Sequence, residues 1–166
     1  SLYYTFEPNE FRFNKGEVIA YSGDTGTISG PHIHYELRDS LGKPFNPLYE
    51  YEIIDNKSPL VNEIAFIPLD YTSTINELSR TQTFDFKRES SNIYELSDTI
   101  AVNGKFGLGI NVIDKVNKQP FDYGVYKIEL YVDDKKIYEV SYDVYDYKDA
   151  KYIYDERDYQ LKIDRG

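Results

Sequence analysis

A chain of 166 residues has room for one or two small domains. Its 29 acidic residues outnumber 19 basic ones, a formal net charge of −10, and no run of Lys or Arg offsets this, which argues against nucleic acid as a partner because phosphate binding needs a basic patch. No cysteine is present for a disulfide framework or thiol chemistry, and no apolar run approaches the ~20 residues that a membrane-spanning helix requires.

The first informative stretch is residues 16–38. It reads Gly16-Glu17-Val18-Ile19-Ala20-Tyr21-Ser22-Gly23-Asp24-Thr25-Gly26, and later Gly30-Pro31-His32-Ile33-His34-Tyr35-Glu36-Leu37-Arg38. The two histidines of the protein both sit here. Successive side chains on a strand point to opposite faces. A strand therefore puts His32, His34, Glu36 and Arg38 on one face and Ile33, Tyr35 and Leu37 on the other, where they are apolar enough to meet a core. Gly23, Gly26 and Gly30 allow tight turns ahead of the pair, and Pro31 fixes φ immediately before it. Two neighbouring imidazoles can divide a task, one binding a metal and the other handling a proton.

These residues resemble the C-terminal half of the lysostaphin/LytM-like zinc metallopeptidases, family twenty-three of the metallopeptidases, which are mostly peptidoglycan endopeptidases. The family signature runs Gly-x-x-Ile-Gly, Gly-x-Thr-Gly, then Gly-Pro-His-Leu-His-Phe-Glu-Ile-Arg. Lys43-Pro44-Phe45-Asn46-Pro47 is similar to the element that closes the domain. The resemblance covers about the first 50 residues and implies that His34 is a zinc ligand and His32 the histidine that assists proton transfer. It also implies a His and an Asp ligand from an upstream His-x-x-x-Asp segment, and no histidine precedes His32. A catalytic zinc takes three protein ligands and keeps one position for water, so the chain alone is expected to be inactive. Asp24 and Glu36 carry oxygens, but the family pattern assigns neither to the metal. Glu36 has two readings, orienting an imidazole by accepting its other N–H or pairing with Arg38 across the strand face. Ser1 is not a translation start, and with the missing ligands this reads as a fragment or a processed piece.

Residues 51–59 look like a connection, with Asp55-Asn56-Lys57-Ser58 between Pro47 and Pro59. Beyond it, strands are expected over 61–69, 83–87, 99–102 and 106–113, with a turn at Asn103-Gly104. Asn76-Glu77-Leu78-Ser79-Arg80 is too short and polar for a helix, and 90–98 reads as a loop. The clearest hairpin joins 124–132 to 137–142 through Asp133-Asp134-Lys135-Lys136. Alternation in Tyr142-Asp143-Val144-Tyr145-Asp146-Tyr147 reads as an exposed strand with one aromatic face, in preference to a sugar-stacking platform. The Asp-rich turns lack the glycine and spacing of a calcium loop.

The expected fold class is all-β: the C-terminal part of an antiparallel-sheet peptidase domain (1–50), a linker (51–59) and an immunoglobulin-like β-sandwich (60–166) of many short strands. Residues 104–133 resemble the domain that follows the peptidase unit in exported metallopeptidases of Bacteroidota-type bacteria, which implies a chain continuing beyond the C-terminus. The resemblance implies a zinc-dependent endopeptidase of the cell envelope, periplasmic or secreted, acting on peptidoglycan peptide stems, with a possible envelope partner for the sandwich. The rival expectation is a non-catalytic envelope scaffold or surface-assembly subunit that keeps the peptidase fold.

Overall fold

The computed structural model describes residues 4–24 and 30–161. The chain divides into two compact units, Ser1–Glu36 and Leu37–Gly166. The expected Gly26 turn lies outside the described residues. The fold is all-β and antiparallel, as expected from the sequence.

In the first unit, the ladder pairing among the described residues is a single antiparallel bridge between Gly23 and His32. Two turns precede it, closed by Glu10 N–H on the Glu7 carbonyl and Glu17 N–H on the Asn14 carbonyl, each at 3.0 Å. A chain of rings runs from Tyr4 to Phe6 (4.6 Å) and Phe6 to Phe11 (5.1 Å, edge-on). The histidine segment is therefore not the fully paired strand that its alternation suggests. Ile33 and Tyr35, expected to face a core, are 83% and 64% exposed. Alternation gives a segment two faces, but a core also needs a second layer within the same unit.

The second unit opens with a small ribbon, β1 (Leu37–Arg38) and β2 (Pro44–Phe45), joined by a turn in which Asp39 accepts from the N–H groups of Leu41 and Lys43, both at 2.9 Å. Asn46 then caps a 3-10 turn, Pro47–Tyr49, by accepting from the Leu48 N–H at 3.0 Å. Residues 51–59 carry no helix or strand.

The main sheet has the order β6-β5-β3-β8. Its strands are β3 (Leu60–Pro68), β5 (Gln82–Arg88), β6 (Tyr94–Leu96) and β8 (Phe106–Ile113). Phe66 of β3 meets Phe84 edge-on at 5.8 Å and lies against Phe106 at 5.9 Å, so aromatic pairs tie the three long strands together. A bulge at Asn62 shifts the β3–β8 register, and its side-chain amide donates to Asn111 at 3.1 Å. Leu69 continues past the Pro68 edge by donating to the Lys105 carbonyl at 2.9 Å. The expected loop over 90–98 contains β6. There Glu89 N–H reaches the Ile93 carbonyl at 3.0 Å, and the Arg88 guanidinium holds the Ser90 and Ser91 carbonyls at 3.1 and 2.8 Å. An arginine that satisfies loop carbonyls lets a polar segment close a hairpin.

Between β3 and β5 lies β4 (Thr74–Ile75), paired with β7 (Val102–Asn103). The strand expected over 99–102 thus shrinks to this short pairing. Asn76 and Glu77 adopt positive φ (45° and 67°) and close a two-residue turn in which Ile75 and Leu78 exchange hydrogen bonds of 2.9 and 3.0 Å. Among the described residues only Ala65, Ile75 and Ser73 are buried. The Ser73 hydroxyl donates to Asp70 at 2.8 Å and accepts from the Lys105 N–H at 2.8 Å, so its burial leaves no polar atom unmet.

The expected hairpin is present as β9 (Lys127–Val132) and β10 (Lys135–Ser141). Its turn is tighter than expected, two residues rather than four, because Asp133 and Asp134 both take positive φ (47° and 61°). Glu129 sits among Lys127 and Lys136, which hold its carboxyl down at about 2. The alternating Tyr/Asp stretch departs from expectation. Only Val144 makes a bridge, to Phe45, and from residue 147 the chain coils into a 3-10 helix (Tyr147–Tyr152) and then α1 (Ile153–Glu156). Asp146 stops the extended run by capping that helix, accepting from the Lys148 N–H at 3.0 Å.

Two measurements test this account. Gly104 has φ +82°, and a Cβ there would lie 2.5 Å from the buried Ser73 Oγ and 3.0 Å from its Cα. Gly104→Ala is expected to destabilise the second unit by about 2–3 kcal/mol in denaturant unfolding; a loss below half of that would show the turn to be pliable. Hydrogen exchange is expected to be fast at residues 18–21 and 33–36, and slow at residues 64–66 and 108–110. Equal protection would contradict the single-bridge description of the first unit.

Candidate functional site

The histidine segment is tied to residues 23 and 24 by the chain's own polar groups. The Asp24 carboxylate accepts from the Gly30 N–H at 2.7 Å. Gly30 takes φ +109°, a conformation that strains any residue with a Cβ, so glycine is required here. The His32 N–H then reaches back to the Gly23 carbonyl at 3.4 Å. Asp24 thus ties its own position to Gly30, directly ahead of the histidine pair.

Each imidazole has a different acceptor. His32 Nδ1 lies 3.0 Å from the Gly30 carbonyl oxygen. A carbonyl can only accept, so Nδ1 carries the hydrogen and Nε2 is the nitrogen available to take or give a proton. His34 Nε2 bonds to the Glu36 carboxylate in a short contact. A carboxylate also only accepts when ionised, so Nε2 of His34 carries the hydrogen and Nδ1 is the nitrogen through which this ring would bind a cation. The two rings therefore offer opposite nitrogens, although they are two residues apart.

Glu36 is well covered, at 15% side-chain exposure, while the His34 side chain is 75% exposed. A sheltered carboxylate holding an open imidazole is the arrangement that fixes the orientation and tautomer of a metal-binding histidine. Arg38 belongs to the second unit, where its guanidinium lies 5.6 Å from the centre of the Tyr147 ring.

Among the described residues, no group of three His, Cys, Asp or Glu side chains converges as a metal site. The described residues therefore do not by themselves compose a three-ligand zinc centre. Gly30 does more than permit a tight backbone, since its carbonyl also selects the His32 tautomer. Its position two residues before the ring was the available signal.

No family model matches the chain, and no solved structure matches it. Short stretches are similar to curated bacterial proteins. One is 46% identical over 43 residues to the DD-carboxypeptidase/endopeptidase Mpg of Neisseria meningitidis serogroup B, strain MC58, covering 26% of this chain and 10% of that protein. The same-named protein of Neisseria gonorrhoeae is 54% identical over 33 residues, covering 20% of this chain and 7% of that protein. The matched stretch is therefore a tenth or less of each relative's length.

Removing the carboxylate tests the His34–Glu36 contact. In Glu36→Ala, the three-bond couplings about the His34 Cα–Cβ bond are expected to move toward rotamer-averaged values, while those of His32 stay as they are. Unchanged couplings at His34 would show that Glu36 does not hold the ring.

Proposed function

We propose that this chain carries the C-terminal part of a zinc-dependent peptidoglycan endopeptidase, residues 1–50, followed by the connection 51–59 and a β accessory domain, 60–166, with an envelope protein as its possible partner. The observation that carries this reading is the complementary pair of imidazoles, His32 presenting Nε2 and His34 presenting Nδ1, each fixed by its own acceptor. The short similarity to DD-carboxypeptidases/endopeptidases supports a peptidase acting on cell-wall peptides.

In this reading His34 supplies one zinc ligand and the other ligands lie outside the described residues. When bound, zinc would polarise a scissile carbonyl and activate water. The chain's own contribution is narrower. Glu36 holds the His34 ring so that Nδ1 keeps its lone pair for the metal. The Gly30 carbonyl holds the proton of His32 on Nδ1, so Nε2 is the nitrogen positioned for proton transfer. The substrate class is the peptide stems and cross-links of peptidoglycan, and the site of action is the cell envelope, periplasmic or extracellular. Among the described residues no helix is long and apolar enough to cross a membrane.

In the intact enzyme that this reading requires, His34→Ala is expected to lose both zinc and hydrolysis. His32→Ala is expected to keep stoichiometric zinc and to lose hydrolysis of cross-linked muropeptides by at least about 100-fold. Metal analysis alongside product chromatography separates the two. Equal metal loss in both variants would overturn the division of roles. An intact zinc-loaded protein with no hydrolysis would favour the rival reading, a non-catalytic envelope scaffold.

A further inference from the structure

Residues 37–49 and 143–147 are far apart in sequence, yet they meet along one edge of the second unit. The backbone contributes an antiparallel bridge between Phe45 and Val144, with Asn46 N–H on the Asp143 carbonyl at 2.8 Å and Tyr145 N–H on the Pro44 carbonyl at 2.9 Å. Residues 143–145 thereby run alongside β2, held by one bridge and its two flanking hydrogen bonds. Side chains reinforce the join at three points. Lys43 Nζ pairs with Asp146 Oδ2 at 3.1 Å. Arg38 lies over the Tyr147 ring. The Asp143 carboxylate accepts from the hydroxyls of Tyr126 and Tyr49 in short contacts, and from Ser141 at 2.8 Å.

Of these three hydroxyls Tyr49 is the one that crosses the join; Tyr126 and Ser141 fix the Asp143 carboxylate that receives it, and bonds to an ionised acceptor exceed neutral ones. The Asp143 carboxyl is accordingly held below the usual range, first by Tyr126, then by Tyr49 and Ser141. By contrast, residues 51–57, which connect the two regions through the chain, are exposed and carry no secondary structure.

We propose that the surface formed by Tyr126 and residues 143–147 is a strand-docking site whose partner is the chain's own segment 37–49, and that this surface, rather than the covalent connection at 51–59, holds the segment in place. Peptide addition to a sheet edge works in this way, with backbone hydrogen bonds giving affinity and side-chain contacts giving specificity. The inference does not depend on the peptidase reading. It concerns how the second unit is built, whatever the histidines do.

The test cuts the connection and leaves the rest of the chain intact. A specific protease recognition sequence placed within residues 53–56 of the full chain allows one cleavage under native conditions. The expected result is that both pieces co-elute on gel filtration after cutting and separate only in denaturant. Asp143→Ala is expected to weaken their association by at least about tenfold, with Tyr49→Phe giving a smaller loss in the same direction. Amide protection at residues 108–110 checks that the main sheet remains folded in each variant. Pieces that part on cleavage of the unsubstituted chain would overturn the proposal. So would unchanged association in both Asp143→Ala and Tyr49→Phe with the sheet intact.

Discussion

The second unit depends on β3 being hydrogen-bonded along both edges. β3 pairs with β5 on one side and β8 on the other, and β6 is reached only through β5. A strand with a partner on each edge has its backbone groups satisfied without solvent, which a peripheral strand cannot achieve. The aromatic contacts of Phe66 with Phe84 and Phe106 lie over the same three strands, so packing and hydrogen bonding reinforce one register. Ala65, in the middle of β3, is one of the few buried residues among those described. With so little side-chain burial, a larger share of the order must come from the ladders and from polar locks such as Ser73 between Asp70 and Lys105.

The same reliance on local polar closure appears in the histidine segment. Asp24 accepts from the Gly30 N–H, and the Gly30 carbonyl selects the hydrogen-bearing nitrogen of His32. Glu36 does the equivalent for His34. Two chemically identical side chains become inequivalent because one neighbour is a carbonyl on Nδ1 and the other a carboxylate on Nε2. No burial is needed for this, only acceptors that cannot donate. Such a segment can carry its chemistry while exposing much apolar surface, as Ile33 and Tyr35 do.

The join between residues 37–49 and 143–147 lies wholly within the second unit and closes its N-terminal ribbon. Leu37 follows Glu36 directly in the chain, and the ribbon that Leu37 begins is completed by residues from the far C-terminal side. The boundary inferred from sequence composition and the boundary made by packing therefore describe different things. Composition changes near residue 50, where the chain becomes irregular, whereas the compact units divide after Glu36.

Much of the secondary structure was legible in the sequence. Alternation placed β3, β5, β8 and the β9–β10 hairpin within a few residues, because period-two patterning and turn residues act over short spans. The two histidines, the Gly30-Pro31 lead-in and Glu36 stand out in the sequence for the same reason, since the contacts Gly30–His32 and His34–Glu36 are each two residues apart. The sequence could not show that Ile33 and Tyr35 lack a core within their unit, because a facing layer is a property of distant segments. It could not show that the Tyr/Asp alternation after Tyr142 would break at Asp146, since alternation and helix capping compete for the same residue. The Asp143 cluster was equally invisible: Tyr49 and Asp143 are 94 positions apart. Sequence determined the local elements and the hydrogen-bond acceptors of the two histidines, whose causes lie within a few residues of each other. Only the tertiary structure decided which edges meet, because long-range pairing depends on the whole chain closing on itself.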